Sequence, residues 1–281
     1  EFLIARGKNL MAELLENKDW QTLSTLHDVL IQMLREYYMV GGMPEAVNVF
    51  IETNDANSVR EVQREILLAY KNDISKHTTK EQSHRIAMVW NSMPSQLSKE
   101  NKKFLYGVVK KGGRAKEFEL AIQWLIDAGL IIKVGRVTTP SMPLKVYEDL
   151  SAFKLYLLDV GLLGAMAEIN PVQLLLPNNM KESKGMFTEN FVCTQLATQF
   201  NSSLFYYSKE NSTLEIDFFV QKETQIIPIE VKAELNVKSK SLSTILQNNE
   251  EMFGVRFSMN QYRKKEKIVN LPLYCAEVYF K

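Results

Sequence analysis

Close to the end of the chain, Leu214-Glu215-Ile216-Asp217-Phe218-Phe219-Val220 is followed, after the polar stretch Gln221-Lys222-Glu223-Thr224-Gln225, by Ile229-Glu230-Val231-Lys232. Apolar runs of this length, rich in β-branched and aromatic residues and separated by a short polar gap, specify two adjacent strands joined as a hairpin. Side chains alternate along a strand, so Glu230 and Lys232 share one face while Ile229 and Val231 point into a core. The chain must therefore build a sheet that is covered on one side and carries charge on the other.

That charge has a chemical reading. Asp217 and Glu230 on neighbouring strands present two hard oxygen donors, which suit Mg²⁺ or Mn²⁺, with the Val231 carbonyl as a further ligand. Such a metal polarises a phosphoryl oxygen and acidifies a water, and Lys232 would orient that water or stabilise the developing charge. Glu189, on a helix read over Phe187–Phe200, adds a third carboxylate to the expected metal shell of Glu189, Asp217 and Glu230. The expected catalytic residues are Asp217, Glu230 and Lys232. Taken alone, Glu-x-Lys on a strand is weak, because amphipathic strands routinely expose such pairs to solvent.

The block from 181 to 281 continues with a strand at Leu204–Tyr207, a crossover helix at Ser241–Gln247, and strands at Val255–Ser258 and Leu273–Tyr279. The resulting order α-β-β-β-α-β-β predicts an α/β layer with mixed strand directions.

Upstream the pattern is different. Residues 1–94 read as a helical region: Leu10, Leu14 and Leu15, then Leu23, Leu26, Leu30 and Leu34, recur at helical spacing. Gly41-Gly42-Met43-Pro44 interrupts this, with Pro44 suited to the first turn of a helix running to Thr53. Val59, Val62, Ile66, Leu67 and Tyr70 mark another helix, and Ile86–Met93 a shorter one ending at Pro94. Residues 95–150 carry an amphipathic helix over Arg114–Ala128, stopped by Gly129, and two strands at Leu130–Val134 and Leu144–Tyr147 around a Pro-containing connection. Helices followed by a hairpin suggest a winged helix-turn-helix. Lys99, Lys102, Lys103, Lys110, Lys111, Arg114 and Lys116 favour DNA binding by this segment. Against it, Glu117, Glu119 and Asp127 on the candidate recognition helix would repel phosphates, which favours a structural role. Residues 151–180 bridge to the last block, with strand character at Phe153–Leu158, Asp159 as a helix cap, and a linker at Pro177-Asn178-Asn179.

Composition limits the alternatives. The formal net charge is only +1, so nucleic-acid binding must come from a local basic face. Cys193 and Cys275 form no CxxC, and His27, His77 and His84 have no ligand spacing, which argues against a disulfide framework or a zinc site. Trp20, Trp90, Trp124 and Cys193 read as core. Lys238 and Lys240 follow the strand motif as candidate phosphate contacts or solvated side chains. No apolar run approaches the roughly 18 residues a membrane-spanning helix needs, and a cytoplasmic location is expected. The sequence starts at Glu1, without an initiator methionine, and runs directly into Phe2-Leu3-Ile4, as a fragment of a longer protein would.

Glu189, Asp217, Glu230 and Lys232 resemble, in order and spacing, the signature of the PD-(D/E)XK nuclease-like superfamily, with Ile216 standing where the signature has proline. Tyr38-x-x-Gly41-Gly42-x-Pro44, Asp73-Ile74, Phe153-Lys154-Leu155-Tyr156-x-x-Asp159-x-Gly161-Leu162, Glu189-Asn190 and the two strand motifs look like the C-terminal half of prokaryotic AAA-type ATPases that carry a domain of unknown function. The resemblance covers essentially the whole chain and implies a P-loop domain preceding it, which would be the only place for ATP. Gly107–Arg114 has P-loop glycine spacing, but Gly113 and Arg114 stand where Lys and Ser/Thr belong, so it is no ATP site.

The expected fold is multidomain α and α/β: helical region, winged helix-turn-helix, then a nuclease-like mixed-sheet domain. The expected function is that of the C-terminal region of an AAA-type ATP-binding protein with a metal-dependent DNA endonuclease-like site. Its alternative is a non-catalytic DNA-docking or protein-interaction module serving the ATPase domain, and a third reading is pure scaffolding.

Overall fold

The computed structural model describes residues 1–176, 184–200, 204–210, 212–235 and 240–281. The expected linker at Pro177-Asn178-Asn179 and Lys238 lie outside the described residues. Helices come first: α1 (Phe2–Ala5), α2 (Asn9–Glu16), α3 (Trp20–Thr25), α4 (His27–Val40), α5 (Pro44–Thr53), α6 (Ala56–His77), α7 (Lys80–Leu97), α8 (Tyr106–Val109) and α9 (Ala115–Asp127). There follow β1 (Ile131–Val137), β2 (Glu148–Leu157), α10 (Val160–Met166), α11 (Pro171–Leu175), α12 (Lys184–Gln199), β3 (Phe205–Ser208), β4 (Glu215–Lys222) and β5 (Gln225–Lys232). The chain closes with α13 (Lys240–Gln247), β6 (Gly254–Ser258), β7 (Arg263–Lys265) and β8 (Ile268–Pro272). This is an α/β protein with a helical N-terminal region and a mixed eight-stranded sheet towards the C-terminus. Among the described residues, no helix is long and apolar enough to cross a membrane.

The chain forms two compact units, each assembled from three segments. The first comprises Glu1–Lys8, Gln32–Ile132 and Leu155–Phe191; the second comprises Asn9–Ile31, Lys133–Lys154 and Val192–Lys281.

In the first unit, helix boundaries follow local chemistry. Pro44 occupies the first turn of α5, where its missing N–H costs nothing, and Asn54 ends that helix in the left-handed conformation. The Asp55 carboxylate accepts from the amides of Asn57 and Ser58 to start α6, and the Thr79 hydroxyl accepts from Gln82 to start α7. Helix α7 does not stop at Pro94 as expected but continues to Leu97, the Ser98 amide reaching back to the Pro94 carbonyl. A proline so near a helix end forfeits only one backbone bond. Ile86, Val89, Trp90 and Met93 of α7 and Phe118, Ala121 and Leu125 of α9 are buried at helical spacing.

The sheet order is β2-β1-β3-β4-β5-β6-β8-β7. β1 and β3 run parallel, as do β5 and β6 and β6 and β8, whereas β3–β4, β4–β5 and β7–β8 are antiparallel. Helix α13 crosses over between β5 and β6, burying Leu242, Ile245 and Leu246 against Val137, Phe205, Tyr207, Ile216, Phe219 and Ile226. A Cβ on Gly254 would lie 2.8 Å from Leu242 Cδ1, so glycine at the start of β6 is what lets this helix come close.

Two expected strands are absent. Leu144–Tyr147 is a 3₁₀ turn, with Leu144 buried and its amide donating to Gln221 Oε1 at 3.1 Å, so a side chain satisfies the backbone and the strand begins only at Glu148. Leu273–Cys275 is likewise 3₁₀, and the strand is the preceding Ile268–Pro272. Strand β7, Arg-Lys-Lys, escaped notice because it has no apolar alternation to read.

Candidate functional site

Asp217 sits where the β3–β4 ladder slips. Phe205 pairs with Phe219 and Tyr207 with Ile216, so two steps along β3 oppose three along β4. This is a β-bulge, a device that re-aims side chains. The β4–β5 ladder ends at Phe218 opposite Ile229, and one of the next amides of β5, the Val231 N–H, donates to Asp217 Oδ2 at 2.8 Å. A carboxylate thus stands in for a backbone acceptor.

Glu230 is 3% exposed. Parallel pairing puts it directly opposite Arg256 on β6, and Arg256 Nε donates to Glu230 Oε2 at 2.8 Å. Lys232, two residues on and so on the same face, brings its Nζ to 3.7 Å from Glu230 Oε1. The register continues outward: Arg256 pairs with Asn270 of β8, and Asn270 with Arg263 of β7. Asn270 Oδ1 accepts from the Ser258 hydroxyl at 2.9 Å, and its Nδ2 donates to the Gln261 carbonyl at 3.0 Å. A polar row therefore crosses four strands from Glu230 to the sheet edge.

Glu189 belongs to the first unit. Its Oε1 accepts from Lys102 Nζ at 2.7 Å and its Oε2 from the Tyr156 hydroxyl at 3.1 Å, so both oxygens are engaged. The structure brings Asp217, Glu230 and Lys232 onto adjacent strands of the second unit. Among the described residues, no group of three or more His, Cys, Asp or Glu side chains is placed to hold a metal.

A second charged cluster occupies β1–β4. Lys154, 1% exposed, donates to Glu215 Oε1 at 2.6 Å and lies 4.8 Å over the Tyr206 ring. Burial pushes the Tyr206 hydroxyl up to about 12, with the Lys154 charge opposing that rise. Arg136 holds Asp149 at 3.2 Å and donates to the Ser208 carbonyl at 3.0 Å. Hydrogen bonds from Ser151 lower the Asp149 carboxyl below its ordinary value, and Arg136 adds to this.

The Gly-Gly motif and Asp159 meet in the first unit. Asp159, 6% exposed, accepts from the Gly42 amide at 2.7 Å and from the Leu162 amide at 2.8 Å, where it caps α10. Gly41 has φ +76°, and a Cβ there would collide with the Asp159 carboxylate. Burial raises the Asp159 carboxyl above its ordinary value against the pull of these N–H donors. Gln63 Nε2 bonds the Met39 and Val40 carbonyls, while Arg60, pushed down to about 10 by burial, bonds those of Gly161 and Ile169.

The lysines expected to track DNA fare unevenly. Lys102 is buried against Glu189, Lys110 lies 3.6 Å from Glu117, and the exposed residues of α9 mix Lys116 and Gln123 with Glu119, Leu120 and Asp127. His27 is structural, its ring nitrogens bonded to the Tyr274 hydroxyl and the Met259 carbonyl at 3.0 Å each. Cys193 and Cys275 are both buried, and burial pushes the Cys275 thiol well up. Sequence reasoning missed Arg256 and the Lys154–Glu215 pair. Arg256 offered one signal, a lone cation inside the apolar strand Val255–Ser258, but its partner depends on parallel register across a crossover.

Two family models match the chain. Residues 31–173 match a domain of unknown function (DUF8612), and residues 184–276 match a domain of unknown function (DUF4143), which is often found with AAA ATPases. Comparison with curated proteins and with solved structures gave no match.

Proposed function

The chain belongs to the DUF8612 family, and on that premise, with a DUF4143 region following, we propose that it is a non-catalytic docking module of an AAA-type ATPase. In this reading ATP binds to the ATPase domain, and the present residues hold or position that domain's partner. Helices α7–α9 followed by β1 and β2 have the order of a winged helix, which here serves packing because α9 exposes Glu119 and Asp127. The strands and helices from α12 onward form a nuclease-like domain whose polar centre is closed on itself.

The observation that carries this reading is the buried Arg256–Glu230 pair at 2.8 Å. A divalent cation would have to compete with a guanidinium that strand register places opposite Glu230, and Asp217 already gives one of its oxygens to the Val231 amide. Mg²⁺ and Mn²⁺ favour carboxylates free to coordinate, and the Arg256 guanidinium on Glu230 counts against this donor set. With Lys232 added, one carboxylate faces two cations.

A second reading, Mg²⁺- or Mn²⁺-dependent DNA hydrolysis through Asp217, Glu230 and Lys232, is favoured by the bulge that re-aims Asp217 beside Glu-x-Lys. One experiment separates the two. The full chain is incubated with supercoiled plasmid and either metal, alongside titration calorimetry with the metal alone. The docking reading expects no nicking and no saturable metal binding. Metal-dependent nicking that Asp217→Ala and Lys232→Ala both abolish would overturn it.

A further inference from the structure

The outermost strand, β7, is Arg263-Lys264-Lys265, and its turn to β8 is Glu266-Lys267, with Glu266 at φ +51°. All five residues are exposed. Among the described residues, none of Arg263, Lys264 and Lys265 forms an ion pair, and the Lys267 ammonium donates to the Glu250 carbonyl. Gln261–Lys267 thus carries four cations and one anion, a net +3 in a chain whose whole net charge is +1. The field that global composition ruled out is present locally, at one edge of the sheet.

The hairpin is also held in place. Gln261 at its base donates to the Ser24 carbonyl at 3.1 Å and accepts from Asn270 at 3.0 Å. Tyr262 stacks on Trp20 with ring centroids 5.2 Å apart and planes 8° from parallel. Strand alternation puts Arg263 and Lys265 on one face, about 6.8 Å apart, and Lys264 on the other.

A plain alternative exists, since lysines on an edge strand also guard against edge-to-edge association. Guarding requires charge of either sign on a short strand. It does not require three consecutive unpaired cations. We propose that the β7–β8 hairpin is a docking surface for the phosphodiester backbone of nucleic acid, with Arg263 and Lys265, on one face of the edge strand, as its phosphate contacts. No hydrolysis is involved, so the inference stands apart from whether Glu230 serves a metal centre.

The test uses the full chain and a fluorescein-labelled duplex, with anisotropy read between 50 and 200 mM salt. Wild type is expected to bind with affinity that falls as salt rises. The double variant Arg263→Gln/Lys265→Gln should lose about tenfold, and its log–log salt slope should shrink by about 2, as two lost phosphate contacts require. Glutamine introduces no repelling charge and Lys264 still guards the edge, so the guarding role alone predicts an unchanged salt slope. Lys264→Gln, on the other face, should leave the slope unchanged, and Arg263→Gln alone, which should lower it by about 1, covers the case in which the double variant fails to fold. Affinity and slope unchanged in the Arg263 and Lys265 variants, or binding absent in wild type at 50 mM salt, overturns the proposal. Competition by polyglutamate of matched charge as effective as that by unlabelled duplex also overturns it, and would mark an acidic protein as the partner.

Discussion

Two carboxylates of similar burial, Asp159 in the first unit and Glu230 in the second, are held in opposite ways. Asp159 is satisfied by backbone N–H groups of Gly42 and Leu162 and serves as a helix cap and loop clamp. Glu230 is satisfied by charge, the Arg256 guanidinium at 2.8 Å and the Lys232 ammonium at 3.7 Å. Backbone donors are fixed by the fold and cannot leave without unwinding it. Side-chain cations can move. Of the two constellations, only the second could be reopened by a ligand, and burial alone does not distinguish them.

The largest expected effect follows from that difference. Glu230→Ala leaves Arg256 buried without an anion, which costs about 3–5 kcal/mol and should appear as a large drop in the urea midpoint. The double variant Glu230→Leu/Arg256→Met removes both charges and should return most of the way to wild type, because replacing a buried pair with apolar groups of similar volume is often neutral. A double variant as unstable as the single one would show that more than the pair is at stake. It would sink the view of Glu230 as half of a closed ion pair.

Asp159 should respond less to mutation but distinctively to pH. Asp159→Asn sets an amide NH₂ against one of the two N–H donors, a cost of about 1–3 kcal/mol. The wild-type carboxyl is raised by burial above its ordinary value of 3.8. Between that value and its folded one, the folded state holds the proton and the unfolded state does not. Stability contributed by this group therefore falls as pH rises through the window and improves on acidification. The wild-type advantage over Asp159→Asn, measured by urea unfolding at several pH values, should widen as pH falls through that window. A narrowing advantage would mean that N–H donation outweighs desolvation.

How much of this was legible depended on how local the determinants were. The Pro44 start of α5, the Asp159 cap and the hairpin β4–β5 are encoded within a few residues and were readable. Asp217, Glu230 and Lys232 fall on adjacent strands because a short polar turn can do little else. Arg256 was invisible because its pairing requires α13 to cross over and set β5 parallel to β6. Strand β7 was missed because its three charged residues carry no apolar period. The roles of Lys102 and Glu189 could not be inferred from sequence, since 87 residues separate the two. Leu144 and Leu273 were misread as strand starts because apolar residues after proline look extended until a side chain or turn claims the backbone.

Lys232 gives the smallest effect and the sharpest discrimination. Its side chain is 36% exposed and its Nζ stands 3.7 Å from Glu230 Oε1, beyond hydrogen-bonding distance. Solvent screens such a pair, and removing one partner typically costs less than about 1 kcal/mol. Glu230 keeps Arg256 in its absence, so no buried charge is stranded. Lys232→Ala should therefore unfold at nearly the wild-type urea concentration, whereas Glu230→Ala should not. A loss approaching that of Glu230→Ala would place Lys232 inside the ion pair rather than at its rim, and would make the centre a triad of one carboxylate shared by two structural cations.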